Sequence, residues 1–249
     1  NPVLDVLNNK HSSFPDLSDV IQYDHANTSK IISIANSAYY SRGIEISTLQ
    51  RALLNIGFSE AKRIILCLVF MENMLRKLRL KQESLYAFWK HSVYVACAAR
   101  ILSEKTLMED PQKAYTAGLL HDIGKLILYM CVENYDSIIS DAHSKGISIT
   151  DTEKENFGID HQELGYIISI KWKFPEELSY IIRHHHNYCT DSGKYRLLSK
   201  SVGIADCFSV SPDASDDPEN FILLQEKNSI NEELNNIMYF LKVGEYEKR

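Results

Sequence analysis

The chain has 249 residues, of which 45% are hydrophobic and 24% charged, so it can bury a core of ordinary size in one large or two smaller domains. The net charge is -6, with -5 on residues 213–249 and only -1 on the remainder, and this balance disfavours non-specific binding of nucleic acid. The five cysteines form no Cys-x-x-Cys pair, which disfavours a disulfide framework, and the longest apolar run, residues 64–71, is too short to cross a bilayer.

These features agree with a cytoplasmic globular protein. The chain starts at Asn1-Pro2 rather than at a methionine, and we expect native residues to precede it.

Helical signals begin in the N-terminal third of the chain. Ser47 with Gln50 fits a capping box at a helix start, and Gly57 fits the following helix end. From Ser59 onward, apolar residues recur at helical spacing through residue 69. Two consecutive helices are therefore predicted between residues 47 and about 74.

Further helix starts follow in the second half. Asp110-Pro111 starts a helix that is expected to continue through His121 to Lys125, because proline is tolerated at the first helical position. Asp160 with Glu163 starts another, and Pro175 is followed by two acids that suit a first turn. An alternating strand pattern of useful length is missing, so the sequence predicts an all-α protein.

Three segments are predicted: an N-terminal helical part over residues 1–83, a helical bundle over 84–210 and an acidic C-terminal helical extension over 211–249. Residues 75–83, which connect the first two, are charged and lack Gly and Pro. Such a short, semi-rigid connection favours an N-terminal subdomain that packs against the bundle.

Residues suited to metal binding recur through the predicted bundle. Imidazole and carboxylate are ligands that Mn, Fe, Co, Ni and Zn accept. The candidates are His91, His121, Asp122, His161, the run His184-His185-His186, and Asp206. For each histidine taken alone, a hydrogen-bonded structural role is the alternative to metal ligation.

The doublet His121-Asp122 suggests a chemistry for this set. A metal held there could activate water, and Lys125, four residues after His121, could stabilise a phosphate oxygen as negative charge develops. If two metals bind, Asp122 is the natural bridge, because a carboxylate has two oxygens to share. Metal-assisted phosphoester hydrolysis is therefore one hypothesis.

This order of residues resembles the HD superfamily of phosphohydrolases. The resemblance implies a divalent metal (Mn, Fe, Ni or Zn; one or two ions) and catalytic roles for Asp122 and Lys125. It places the metal ligands on His91, His121, Asp122, His161, His184, His185 and Asp206. His186 falls where several catalytic relatives have glutamate.

A second resemblance includes the N-terminal half. The phrase at residues 34–40, Ile-Ala-Asn-Ser-Ala-Tyr-Tyr, together with residues 46–48 and 56–58, looks like the HDOD module, the HD-related output domain of bacterial signalling proteins. With the histidine motifs, the resemblance covers roughly residues 14 to 210. It implies a multi-helix HD-like bundle with an N-terminal helical subdomain, a regulatory role and protein partners in signalling. In the N-terminal phrase a packing role is favoured over a ligand pocket, and Asn36 is expected to satisfy a backbone group of the following turn.

Two departures bear on activity. The branch that hydrolyses cyclic di-GMP has a Gly-Tyr-Pro ending after its histidine pair, which this sequence lacks, and Ala87 stands where several relatives have a glutamate one turn before the first histidine. We therefore expect a signalling module of HDOD type without strong catalytic activity. The alternative is a metal-dependent phosphohydrolase acting on a nucleotide or cyclic dinucleotide, and a nucleotide ligand remains open.

Overall fold

The computed structural model describes residues 6, 12–21, 25–36, 40, 46–58, 61–62, 64–65, 82–172, 174–212 and 218–246. Every regular element in these ranges is a helix, which confirms the predicted all-α class. The chain divides into two compact units, Asn1–Leu78 with Asn235–Arg249, and Arg79–Leu234. The three segments proposed from the sequence, and the packing between them, stay predictions. Most of the helix predicted after residue 58 lies outside the described residues, as do residues 37–39 and 213–217.

The first unit contains helices α1 (Phe14–Ile21), α2 (His25–Ala35) and α3 (Leu49–Ile56). Its core includes Leu17, Ile21, Ile31 and Leu53 from these helices, and Ile65 from the chain beyond them, each at most 1% exposed. Helix α3 begins one residue later than the capping box predicts, because Thr48 rather than Ser47 accepts the hydrogen bond from the Arg51 backbone. Its predicted end is confirmed at Gly57, whose φ of 91° favours glycine.

Asn36 joins two backbone segments of this unit. Its side-chain amide donates to the Ile46 carbonyl over 2.6 Å, and its oxygen accepts from the Ile46 N–H over 2.7 Å. The expectation that Asn36 satisfies backbone groups is confirmed. The residue therefore fixes the loop before α3 against the end of α2.

The second unit contains the remaining helices and a short 3-10 turn. They are α4 (Gln82–Thr106), α5 (Pro111–Leu120), α6 (Ile123–Cys131), α7 (Tyr135–Ser144), α8 (Ile149–Phe157), α9 (His161–Lys171), α10 (Glu176–His184), the 3-10 turn His185–Asn187, α11 (Arg196–Val210), α12 (Pro218–Gln225) and α13 (Lys227–Tyr246). Helix α13 starts in this unit, and its residues from Asn235 onward belong to the first. Within the described part of the chain, no helix has the length and apolar character needed to cross a bilayer.

Helices α4 and α5 approach each other closely. The middle of α4 is a buried run of small and apolar residues, 95–99. A Cβ atom added to Gly118 of α5 would lie only 2.9 Å from the Ala96 Cα, so the crossing depends on glycine. This approach brings His91 of α4 to the end of α5, where His121 follows.

The helix predicted to continue from Pro111 to Lys125 is interrupted at the doublet, and that prediction was wrong. Helix α5 ends at Leu120, His121 and Asp122 form a turn, and α6 begins at Ile123. Consecutive residues of a continuous helix do not face one direction. The turn allows two adjacent side chains to reach the same site, which an unbroken helix would prevent.

A second close crossing joins α6 to the start of α9. A Cβ atom on Gly124 would lie 1.8 Å from the His161 carbonyl oxygen, and one on Gly165 would lie 3.1 Å from the Gly124 backbone nitrogen. Glycine at both positions lets the two helices come together at their N-terminal halves. As a result the turn at Asp122 and the first residue of α9 are neighbours.

Candidate metal centre

Seven side chains of the second unit converge on one buried site, which we call the His/Asp cluster. They come from α4, the turn between α5 and α6, α9, the 3-10 turn and α11: His91, His121, Asp122, His161, His185, His186 and Asp206. Three of the histidines and Asp122 are almost completely buried, whereas the side chains of His91 and His186 are 25% and 29% exposed. The site therefore opens to solvent on the side of these two residues.

Asp122 lies at the centre of the cluster and faces two groups of imidazoles. Its Oδ2 lies 3.2 Å from His91 Nε2 and 3.3 Å from His121 Nε2. Its Oδ1 lies 3.4 Å from His161 Nε2 and 3.6 Å from His185 Nε2. Each carboxylate oxygen is thus directed at a different pair of histidines.

Four of the imidazoles are oriented by a partner on Nδ1. The distances from Nδ1 are 3.2 Å to Ser209 Oγ for His91, 2.6 Å to the Gly118 carbonyl for His121, 2.6 Å to Glu153 Oε2 for His161 and 3.1 Å to the Ile182 carbonyl for His185. The carbonyl and carboxylate partners can only accept, and Ser209 already donates its hydroxyl to the Asp206 carbonyl. Each Nδ1 therefore carries a proton. The four Nε2 atoms, which are the positions that can offer a lone pair to a metal, all face Asp122.

Ring nitrogens lie close together within the cluster. His91 Nε2 lies 3.3 Å from His121 Nε2, and His161 Nε2 lies 3.1 Å from His186 Nε2. In each pair, one nitrogen must carry a proton for the two to form a hydrogen bond. Among the described residues, Asp122 Oδ1 and His185 Nε2 are also buried without a hydrogen-bond partner. Buried polar atoms without partners are costly, and a cation between them would satisfy both.

The electrostatic balance of the site also calls for positive charge. Burial lowers the pKa of His121, but Asp122 and Asp206 outweigh this effect and raise it to about 10. The same two carboxylates raise the pKa of His91. Burial lowers the pKa of His185 and lowers that of His161 well below its ordinary value. Two buried carboxylates thus require compensation, which either a proton on His121 or a metal ion can provide.

Lys125 supplies part of that compensation. Its ammonium lies 2.6 Å from Asp122 Oδ2, and its side chain is only 15% exposed. Burial lowers the pKa of Lys125, but the charges of Asp122 and Asp206 outweigh it and the net pKa is raised. The lysine is three residues from Asp122 across the start of α6, and its ammonium contacts that carboxylate.

The structure brings together six of the seven metal ligands expected from the resemblance. His184, the last residue of α10, lies apart from the cluster, with its ring 4.4 Å from that of Tyr180. The consecutive pair in the site is His185-His186, one residue later than expected. The helix ends at His184, so the chain turns there and directs the next two side chains inward.

The donor atoms form three compact groups. In each, one ligand atom per residue lies within 4.8 Å of the others: His161, His185 and His186; His91, His121 and Asp206; and His121, Asp122 and His185. These nitrogen and oxygen donors suit Mn, Fe, Ni or Zn. The residues present therefore fit the metal that the resemblance implies.

Glu153 and Ser209 are parts of the site that the sequence did not indicate. Glu153 comes from α8, which carries three acids at alternate positions 151, 153 and 155, and only Glu153 is buried. Burial raises its pKa to about 7, although hydrogen bonds from Tyr135 and the His161 backbone act in the opposite direction. Nothing in the sequence distinguishes it from its neighbours. Ala87, which replaces the glutamate of several relatives, is exposed on α4.

Comparison with known families identifies the class of this chain. Residues 1–188 match the family model of the HDOD domain, which is about three quarters of the chain. The chain belongs to the HDOD family. Asp206 lies beyond the matched residues, yet it completes the His/Asp cluster.

Individual relatives are distant. An uncharacterised protein from Treponema pallidum (strain Nichols) is 21% identical over 206 residues, which cover 80% of this chain but only 38% of that protein. The chain thus spans well under half the length of this relative. Among solved structures, an HDOD domain protein of unknown function from Geobacter sulfurreducens has a TM-score of 0.78 at 21% identity, covering 96% of this chain and 90% of the other.

Two further structures share the fold. A protein from Shewanella amazonensis SB2B, provisionally described as a phosphohydrolase, has a TM-score of 0.73 at 23% identity. The match covers 98% of this chain and 90% of that protein. A protein from Marinobacter aquaeolei VT8, provisionally described as a signal transduction protein, has a TM-score of 0.69 at 17% identity. The match covers 100% of this chain and 58% of that protein. At these identities the similarity establishes the fold.

Proposed function

We propose that this chain is a signal-transduction output or regulatory module whose His/Asp cluster binds a divalent metal and which has little phosphohydrolase activity. Membership of the HDOD family supports the regulatory part of the proposal. One observation carries the metal-binding part: four imidazoles, each with Nδ1 held by a partner, direct Nε2 at the two oxygens of Asp122. Such an arrangement serves ligation better than hydrogen bonding.

The metal would be Mn, Fe, Ni or Zn, as one or two ions. His91, His121 and Asp206 would hold it on one side of Asp122, and His161, His185 and His186 on the other. With one oxygen directed at each side, Asp122 is suited to bridge two ions. When bound, a divalent metal supplies Lewis acidity toward a phosphate oxygen.

In this role the cluster would join five segments of the bundle through one buried centre. We expect the module to act through protein partners in signalling, in the cytoplasm, with neither a membrane nor nucleic acid as its target. Occupancy of the centre would then stabilise the folded bundle, because a ligand that binds only the folded state shifts the unfolding equilibrium.

The second candidate is a metal-dependent phosphohydrolase acting on a nucleotide or cyclic dinucleotide. The partial exposure of His91 and His186 favours it, because a substrate could approach the centre from that side. In that function Asp122 would hold the metal, and Lys125 would neutralise Asp122 or contact a phosphate oxygen. The absence of carboxylate at Ala87 and of the Gly-Tyr-Pro ending argues against strong hydrolysis of cyclic di-GMP.

Metal content and turnover separate the two functions. The protein is purified without added metal, incubated with Mn, Fe, Ni or Zn in turn, and analysed for bound metal beside Asp122→Ala. We expect binding above that of the variant and no robust hydrolysis of cyclic di-GMP. Binding equal to Asp122→Ala for every metal would contradict the metal centre. Metal-dependent turnover that His121→Ala abolishes would establish the enzyme instead.

A further inference from the structure

A chain of buried polar groups leads into the His/Asp cluster from α7 and α8. Tyr135, Glu153 and His161 are each at most 1% exposed. The Tyr135 hydroxyl donates to Glu153 Oε1. The other carboxylate oxygen, Oε2, accepts from His161 Nδ1 over 2.6 Å and from the His161 backbone N–H over 2.8 Å. Three donors thus converge on one buried carboxylate.

The two bonds to Oε2 fix the ring of His161 relative to its own backbone. A ring that donates from Nδ1 leaves Nε2 without a proton. That Nε2 faces the centre, 3.4 Å from Asp122 Oδ1 and 3.1 Å from His186 Nε2. Rotation of the ring would break the Nδ1 bond and leave part of a buried carboxylate without a donor, which is costly.

Glu153 is not required merely to start α9. Asp160 already caps that helix, since its side chain accepts from the Glu163 N–H over 2.8 Å. A buried carboxylate is an expensive way to satisfy one further backbone N–H. The contact that needs Glu153 is the one to the imidazole.

We propose that Glu153, anchored by Tyr135, is a positioning residue that holds His161 as the Nδ1–H tautomer with Nε2 directed into the centre. The inference rests on the proposed metal-binding function, and it adds the group that orients and polarises one of the ligands. A carboxylate behind a histidine ligand increases its basicity, and loss of such a partner lowers metal affinity by about 10- to 100-fold.

The tautomer is measurable without metal. Long-range ¹H–¹⁵N NMR spectra of the metal-free protein report which nitrogen of each imidazole carries the proton, and His161→Gln identifies the His161 signals. We expect the Nδ1–H form for His161 in the intact chain and a mixture of forms in Glu153→Ala. An Nε2–H form in the unsubstituted protein would overturn the inference.

Affinity for Zn²⁺ and Mn²⁺, measured by calorimetric titration, provides the second test. We expect Glu153→Ala to lose about 10- to 100-fold in affinity. The matched control Glu155→Ala, on the exposed side of the same helix, should bind like the unsubstituted protein. A folded Glu153→Ala variant with unchanged affinity would contradict the proposal.

Glu153→Gln keeps the test decisive if Glu153→Ala does not fold. The amide oxygen can still accept from His161 Nδ1, but the charge that strengthens this bond is gone. We expect the Nδ1–H tautomer to persist with a shifted ¹⁵N resonance and a smaller loss of affinity than in Glu153→Ala. An unshifted resonance together with unchanged affinity would refute the role of Glu153. If the unsubstituted protein binds neither metal, the proposed function fails, and the tautomer of metal-free His161 still decides the positioning role.

Discussion

The carbonyl oxygen of His161 occupies the space that a β-carbon would need at Gly124, since a Cβ placed there would lie 1.8 Å from that oxygen. The glycine that follows the His121-Asp122 doublet thus sets how closely α6 approaches α9. This contact between two backbones places Asp122 and His161 next to each other, with Asp122 Oδ1 3.4 Å from His161 Nε2. The geometry of the cluster depends on it.

Gly124→Ala should therefore be strongly destabilising. Backbone rather than a flexible side chain blocks the new methyl group, so the two helices must separate, at a cost of about 2–4 kcal/mol. Urea unfolding would measure the loss. Gly146→Ala is the comparison, because open space surrounds that position and only its φ of +65° is unfavourable, which costs about 1 kcal/mol. Equal effects at the two glycines would contradict the close crossing.

The two neighbouring histidines His184 and His186 offer a matched pair of substitutions. His186→Ala removes a donor atom that lies in the cluster, and we expect its affinity for Zn²⁺ to fall by about tenfold or more. His184→Ala removes a ring that packs on Tyr180 and should leave the affinity within about twofold. If calorimetric titrations showed the greater loss of affinity for His184→Ala, the ligand pair would be His184-His185, as expected from the sequence.

Lys125→Met tests the ion pair with Asp122. Removing one partner of a buried ion pair leaves the other charge uncompensated and costs about 3–5 kcal/mol. We expect this loss in metal-free protein, and a smaller loss with Zn²⁺ present, because the metal then compensates Asp122. Lys145→Met removes an exposed pair with Asp141 and should cost less than about 1 kcal/mol. A loss that zinc does not reduce would argue against metal at Asp122.

The effect of metal on stability should grow with pH. In metal-free protein the pKa of His121 is raised to about 10. Charged His121 therefore stabilises the folded state fully at pH values below the pKa of this histidine in the unfolded chain. This stabilisation is lost as the pH rises toward 10. A metal must displace that proton, and displacement becomes easier as pH rises. Melting temperatures with Zn²⁺ and with EDTA, compared from pH 6.5 to 9, should differ more at the higher pH. A difference that shrinks with rising pH would contradict this assignment.

Local signals in the sequence predict much of this structure. The starts of α5 at Pro111 and of α9 after Asp160, and the acids in the first turn of α10, depend on residues within one helical turn and are found as expected. Asn36 likewise acts on a nearby loop.

The structural details that the sequence does not reveal depend on contacts between residues that are far apart in the sequence. The break at His121 lies three residues before Gly124, where α6 packs on α9, and helical periodicity does not indicate this packing. The end of α10 at His184 decides which two of three consecutive histidines face the centre. Glu153 is one of three similar acids on its helix, and only the fold selects it.

The most direct test of the account is to locate the metal. Crystals of the protein grown with Zn²⁺ or Mn²⁺ would be measured on both sides of the metal absorption edge, and anomalous difference maps calculated. We predict one or two peaks between Asp122 and the surrounding histidines, with His186 rather than His184 as a ligand and with loss of the peaks in Asp122→Ala. A map without a peak at the His/Asp cluster, or with metal bound only elsewhere on the surface, would contradict the metal centre.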